Sequence, residues 1–207
     1  MKILKILSID FDYIMYPCIK LYNSYISESE NTSVLWEHLD KLLEIDKYLN
    51  YDADALKLIT MLVLRNIRNN TEFTPVTDHE EIVNILKKDE HYSSTKFDIV
   101  NIDFHHDIYY RDEDIAEIKD FGQYNCSDWL GYLYFTDKLE RCRWLKAPNS
   151  EIYNGKAKIE ILGKKDFTGL TDNFDRLFLC LSPQWVPYKF HHLYELLCGI
   201  SKEVSGK

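Results

Sequence analysis

Glycine, proline and cysteine are all scarce in this chain, at 7, 5 and 5 among 207 residues. Seven glycines leave little material for a Gly-rich loop that cradles phosphate groups, and none is found. The five cysteines, Cys18, Cys126, Cys142, Cys180 and Cys198, are odd in number, far apart and free of any CxxC pair. That pattern argues against a disulfide framework and against a zinc knuckle, so reduced and mostly buried thiols are expected. No apolar run approaches the roughly 18 to 20 residues that cross a bilayer. The opening MKILKILSIDFDY runs straight into acids without a cleavage site, so a cytoplasmic protein without membrane contact is expected. Basic residues number 25 against 34 acids, a formal charge of −9. With no basic stripe, nucleic acid is not an expected partner, whereas a cationic ligand is compatible with the charge. There is no internal repeat and no low-complexity tract.

What the chain does have is a globular composition, 45% hydrophobic and 29% charged, and a length suited to a single domain over residues 1–207. KILKILSIDFDYI reads as a buried strand ending near Asp12. Residues 33 to 49 place Leu35, Leu39, Leu42, Leu43 and Ile45 at largely helical spacing, with Ser33 as the cap. A second helix is expected from about Asp54 to Arg68, its start marked by Asp52 and Asp54. Phe73 to Thr77 suggests a short strand and Asp78 onward a helix with acids in its first turn. FDIVNIDF, residues 97 to 104, is the next buried strand. Ser127 opens a further helix, Arg141 to Lys158 gives mixed signals, RLFLCLS at 176 to 182 is a strand, and FHHLYELLCGISKEV is a terminal helix. Alternation of this kind implies a three-layer α/β/α fold with a mainly parallel sheet, whose sites gather at the carboxyl ends of strands.

Two of these strands end on ligand-type residues. Asp103, His105 and Asp107 alternate along an extended segment and share one face. Gathering carboxylates is electrostatically costly unless a cation neutralises them, and a divalent metal supplies that charge. Asp10 and Asp12 repeat the pattern at the end of the first strand. His79 stands at a strand-to-helix junction 24 residues before Asp103, room for one helix and one strand, so neighbouring parallel strands would present both at one sheet edge. His106 alternates to the other side and reads as a packing residue.

Together these motifs resemble the arginase and agmatinase superfamily of ureohydrolases, whose GGDH, DAHxD and SxDxDxxDP segments hold two Mn2+ ions. TDHEE resembles the first, IDFHHD the second, and Ser8-Ile9-Asp10-Phe11-Asp12 the third, with Pro17 displaced and this motif moved to the front of the chain. The resemblance implies an arginase-like fold with Asp103 and Asp10 bridging two ions. His79 and Asp107 would complete one ion and His105 and Asp12 the other, with water between them as the nucleophile. The family's guanidinium-binding glutamate falls in a strand ending ExNP. The best counterpart here is Cys180-Leu181-Ser182-Pro183, which puts Cys180 in that place. The family's catalytic histidine has no counterpart between Tyr109 and Phe135, where Asn125 and Asp128 are the available polar groups.

The short chain and the DFD-plus-DFHHD arrangement look more like the compact branch that includes peptide arginases, which convert arginine in a precursor peptide to ornithine with release of urea. Glu80, Glu81 or Asp128 would then grip a guanidinium. Trp185, with Tyr13, Tyr109, Tyr110 and Trp129, would line a peptide groove, although core packing explains most of these aromatics. Two other readings stand beside this one. A haloacid dehalogenase-like phosphatase would use Asp10 and Asp12 as nucleophile and Mg2+ ligand, but its later motifs cannot be placed and DFHHD is left unused. A degenerate metal-containing module would bind a peptide without cleaving it.

Overall fold

The computed structural model describes residues 2–15, 32–44, 47–150 and 152–205. Pro17 and Cys18 fall outside them, as do Ile45 and the side chains of Ser33, Leu35, Leu42 and Leu43.

Among the described residues six strands form one sheet: β1 (Lys2–Asp10), β2 (Glu72–Val76), β3 (Thr95–Asp103), β4 (Leu139–Lys146), β5 (Glu160–Leu162) and β6 (Arg176–Cys180). Their order is β2-β6-β1-β3-β4-β5, and every pairing is parallel. The helices are α1 (Thr32–Leu43), α2 (Ala53–Arg68), α3 (Glu80–Lys87), α4 (Asp112–Ala116), α5 (Trp129–Phe135) and α6 (His191–Ser205).

A parallel sheet needs both faces covered, and two separate apolar clusters do this. On one face Leu7, Ile9, Val100, Ile102, Leu177 and Leu179 pack with residues of α1, α2 and α6. On the other, Ile6, Phe97, Ile99 and Phe178 pack with α3 and α5. The two sets alternate along each strand, as the pleat requires. The resulting helix-sheet-helix arrangement agrees with the expected three layers. Burying a side chain such as Ile6 or Ile99 completely contributes roughly 1.5–3 kcal/mol.

Local chemistry sets several boundaries. Asp52 caps α2 by accepting from the backbone N–H groups of Asp54 and Ala55, as the sequence signals. Glu81 Oε1 accepts from the backbone N–H groups of Thr77 and Asp78 at 2.9 and 3.1 Å, fixing the turn into α3. α1 ends at Leu43, short of residue 49, where Glu44 turns into the left-handed region (φ 48°). The ambiguous stretch from Arg141 holds most of β4 and the approach to β5, a three-residue strand too short to show a period.

One expectation fails. β2 and β3 are not neighbours, because β6 and β1 lie between them. From β1 the chain crosses to β2 by way of α1 and α2 on one face. It then returns to β3 through α3 on the opposite face, as right-handed crossovers in opposite directions demand. The helices after β1 and those after β3 cover opposite faces, and in such sheets the crevice outside the carboxyl ends of such a neighbouring pair is where ligands bind. Among the described residues no helix is long and apolar enough to cross a membrane.

Candidate metal centre

On the sheet face covered by α3 and α5, the alternating inward positions change character toward the carboxyl ends. Ile6 is followed by Ser8 and Asp10, Ile99 by Asn101 and Asp103, and Phe178 by Cys180 and then Ser182 beyond the strand. Register pairs Asp10 with Cys180 across β1 and β6. Three adjacent strands thus deliver polar side chains to one spot. Asp12 follows in the short 3-10 turn Phe11–Met15. His79 arrives from the junction before α3, so the candidate ligands converge although β2 lies two strands from β1.

The geometry is compact. His79 Nδ1 lies 2.8 Å from Asp107 Oδ2, 3.4 Å from Asp10 Oδ2 and 3.6 Å from Asp103 Oδ2. His105 Nδ1 lies 2.9 Å from Asp12 Oδ2 and 3.9 Å from Asp103 Oδ1. Donor atoms sharing one ion, each about 2.1 Å from it, sit ~3 Å apart, the range seen here. Asp103 therefore turns one oxygen toward each histidine. Among the described residues three sets of side chains have donor atoms mutually within 4.8 Å: Asp10, His79 and Cys180; Asp12, Asp103 and His105; and His79, Asp103 and Asp107.

The surroundings fix these groups. Ser8 Oγ lies 3.4 Å from His79 Nε2, leaving Nδ1 to the carboxylates in the manner of a metal-ligating imidazole held through its other nitrogen. Trp129 stacks on the His79 ring at 5.3 Å. Asn101 Nδ2 donates to Asp103 Oδ2 at 3.0 Å, and Trp144 Nε1 to the Asp103 carbonyl at 3.1 Å. Ser182 Oγ donates to Asp10 Oδ2 at 2.6 Å, from a residue at φ 48°. Asp107 too is left-handed, at φ 51°. Its carbonyl accepts from Leu130 and Gly131 N–H at 3.0 and 3.3 Å, docking α5 on the ligand loop. Gly131 is required there, since a Cβ would lie 1.7 Å from the Ile108 carbonyl oxygen.

Four buried carboxylates meet with two histidines, and among the described residues no lysine or arginine pairs with any of them. Burial, reinforced by the neighbouring acids, pushes Asp10 and Asp103 well above the ordinary carboxylate range. It raises Asp12 to about 8 and Asp107 to about 7. Asp12 Oδ2 is buried without a hydrogen-bond partner while facing His105 Nδ1. A buried acceptor that meets only a ring nitrogen, within an acidic cluster that no lysine or arginine neutralises among the described residues, fits a cation. The clusters can hold metal ions.

The remaining site candidates separate. Asn125 and Trp185 line a cleft of about 540 Å³ together with Asp10, His79, His105 and Asp107. The Trp185 ring lies 4.5 Å from that of His105. Asp128 is buried at the start of α5, accepting from Asn125 N–H at 2.7 Å, and its carboxyl is pushed up to about 6 by burial. Neither Asp128, Glu80 nor Cys180 is among the cleft-lining residues. Glu80, the first residue of α3, is raised by burial and by Asp78. Of the other aromatics, Tyr110 lines the cleft, Tyr13 and Trp129 are fully buried, and the Tyr109 hydroxyl accepts from Lys156 N–H. His106 does face away: it stacks on Tyr110 at 4.3 Å, accepts from Ile108 N–H, and burial lowers its pKa to about 4.

Sequence reasoning missed Asn101, Ser182 and Trp144 as supports of the ligands. Asn101 and Ser182 could have been found, since each stands two residues from a candidate on an otherwise apolar alternating face. Compared with protein-family models, with curated proteins and with solved structures, the chain matches none.

Proposed function

We propose that this protein is a hydrolase with a two-ion centre that cleaves a C–N bond, converting arginine in a peptide to ornithine with release of urea. The observation that carries the two-ion reading is Asp103, whose oxygens face His79 at 3.6 Å and His105 at 3.9 Å. Asp10, expected as a second bridge, turns Oδ2 to His79 while its Oδ1 accepts from Asp12 N–H; Asp10, Asp107 and His79 would therefore hold one ion and Asp12 and His105 the other, with Mn2+ the metal implied by the resemblance to ureohydrolases. Bound there, two divalent cations would activate water and neutralise charge developing on the substrate.

The chain's own residues would position that substrate. Water adds to the guanidinium carbon, and the side-chain nitrogen leaves as the ornithine amine while the remaining C–N unit departs as urea. Trp185 and Tyr110 offer apolar walls to the cleft. Glu80, expected as a guanidinium contact, lies one residue beyond His79 but outside the cleft lining, so it would act on the cationic group only through its charge at a distance. Asp128 acts through Asn125, whose backbone it anchors, so it is a positioning residue in this reading.

A second reading, a peptide-binding module without turnover, is favoured by Cys180 standing where the resemblance places a glutamate. The phosphatase reading draws less support, because it leaves His79 and His105 without a task.

Elemental analysis tests the centre. Protein purified with Mn2+ should hold about two ions, and Asp103→Ala should lose both, since one bridging ligand serves each. Unchanged metal content in Asp103→Ala would end the two-ion proposal.

A further inference from the structure

Cys180 does not sit as a guanidinium contact in the cleft; its sulfur belongs to the ligand cluster. Its Sγ, one Asp10 carboxylate oxygen and a His79 ring nitrogen lie within 4.8 Å of one another. All three side chains are buried, and Cys180 is the register partner of Asp10 on the same sheet face. A buried cysteine alone would signify packing. The adjoining trio points to a cation as well: Asp12 Oδ2, fully buried and without a hydrogen-bond partner, belongs with His105 and Asp103.

We infer that Cys180 supplies a thiolate ligand to the ion on the His79 side, giving that position N, O and S donors while the His105 side keeps N and O donors alone. This rests on the two-ion reading but departs from it in the identity of one ion. Thiolate donors favour Zn2+ and Co2+, whereas Mn2+ prefers oxygen. The His79 side therefore selects Zn2+ or Co2+ over Mn2+, and the two positions differ in metal preference. Metal binding releases the thiol proton to solvent. In the metal-free arrangement the sulfur contacts Thr77 O and Ser182 Oγ, each at 3.4 Å. Ser182 Oγ gives its proton to Asp10 Oδ2, and the single thiol proton is donated to Thr77 O.

The test is the absorption spectrum of the whole chain loaded with Co2+. Wild type should show visible ligand-field bands together with a near-ultraviolet thiolate-to-cobalt charge-transfer band. Cys180→Ser should lose the charge-transfer band while keeping ligand-field bands from cobalt held by the remaining ligands. In competition between Zn2+ and Mn2+, Cys180→Ser should lose zinc preference by on the order of tenfold or more. Ligand-field bands without charge transfer in wild type, meaning a thiol that stays protonated on Thr77 O, would overturn the Cys180 assignment and leave the two-ion proposal standing. Absence of any cobalt spectrum in wild type would overturn both.

Discussion

The indole N–H of Trp129 donates to Asp107 Oδ2 at 2.9 Å, joining the first residue of α5 to a candidate ligand in the loop after β3. The same ring stacks on His79, so one fully buried side chain touches candidate ligands from two distant segments. Trp129→Phe keeps the ring packing and removes the donor. Metal affinity should fall about 10–100-fold, the usual effect of losing a group that orients a ligand. Calorimetric titration of metal into the variant measures this, and unchanged affinity would remove the orienting role.

Gly131→Ala places a methyl group against the Ile108 backbone, which cannot swing aside as a side chain can. It should destabilise the protein by about 1–3 kcal/mol and weaken metal binding as well, because the displaced backbone holds Asp107. Gly199→Ala within α6 meets nothing within 4 Å and should stabilise by about 0.5–1 kcal/mol through helix propensity. Paired denaturant melts compare the two. Equal effects would mean that α5 docks more loosely than described.

Stability of the metal-free protein should fall as pH rises from about 5 to about 8. Asp12 and Asp107 are raised to about 8 and about 7 from an ordinary value of 3.8. In that window the native state binds more protons than the unfolded chain, and the slope of stability with pH is negative. Metal reverses the balance by replacing those protons, so affinity for the ion rises over the same interval. Thermal melts in the presence of a chelator, repeated with metal, read out both trends. A metal-free melting temperature that climbs between these pH values would contradict the protonated cluster.

Peptides containing arginine should lose about 42 Da per modified residue by covalent arithmetic, with free arginine turned over far less efficiently. The cleft offers aromatic walls for a longer chain, whose binding energy can position the guanidinium. Mass spectrometry of a peptide set with metal-loaded protein checks this. Comparable efficiency on free arginine would refute the peptide preference. Binding of both ions with no turnover on a broad set would favour the binding module, and phosphate-ester turnover surviving His79→Ala and His105→Ala would favour the phosphatase reading.

Much of this site is legible in the chain because its signals are local. The apolar runs before Asp10 and Asp103 have strand character on their own, and the period of two places Asp103 on the face of Asn101 and Asp10 on the face of Ser8 without reference to the rest of the fold. The Asp52 cap of α2 is local in the same way. Strand order is not, because it depends on which faces the crossovers cover. His79 was expected from a strand beside β3 and instead arrives from the far side of β6. The contacts that hold the ligands, Trp129 to Asp107, Ser182 to Asp10 and Trp144 to Asp103, span 22, 172 and 41 residues. No periodicity reports such pairs, since they follow from packing of separate elements. The sequence by itself determined the ligand types and their strand ends, whereas the tertiary structure decided which oxygen faces which histidine and drew the Cys180 sulfur into the cluster. The reason is physical: backbone alternation assigns a side chain to a face, but only the assembled sheet and helices set distances across it.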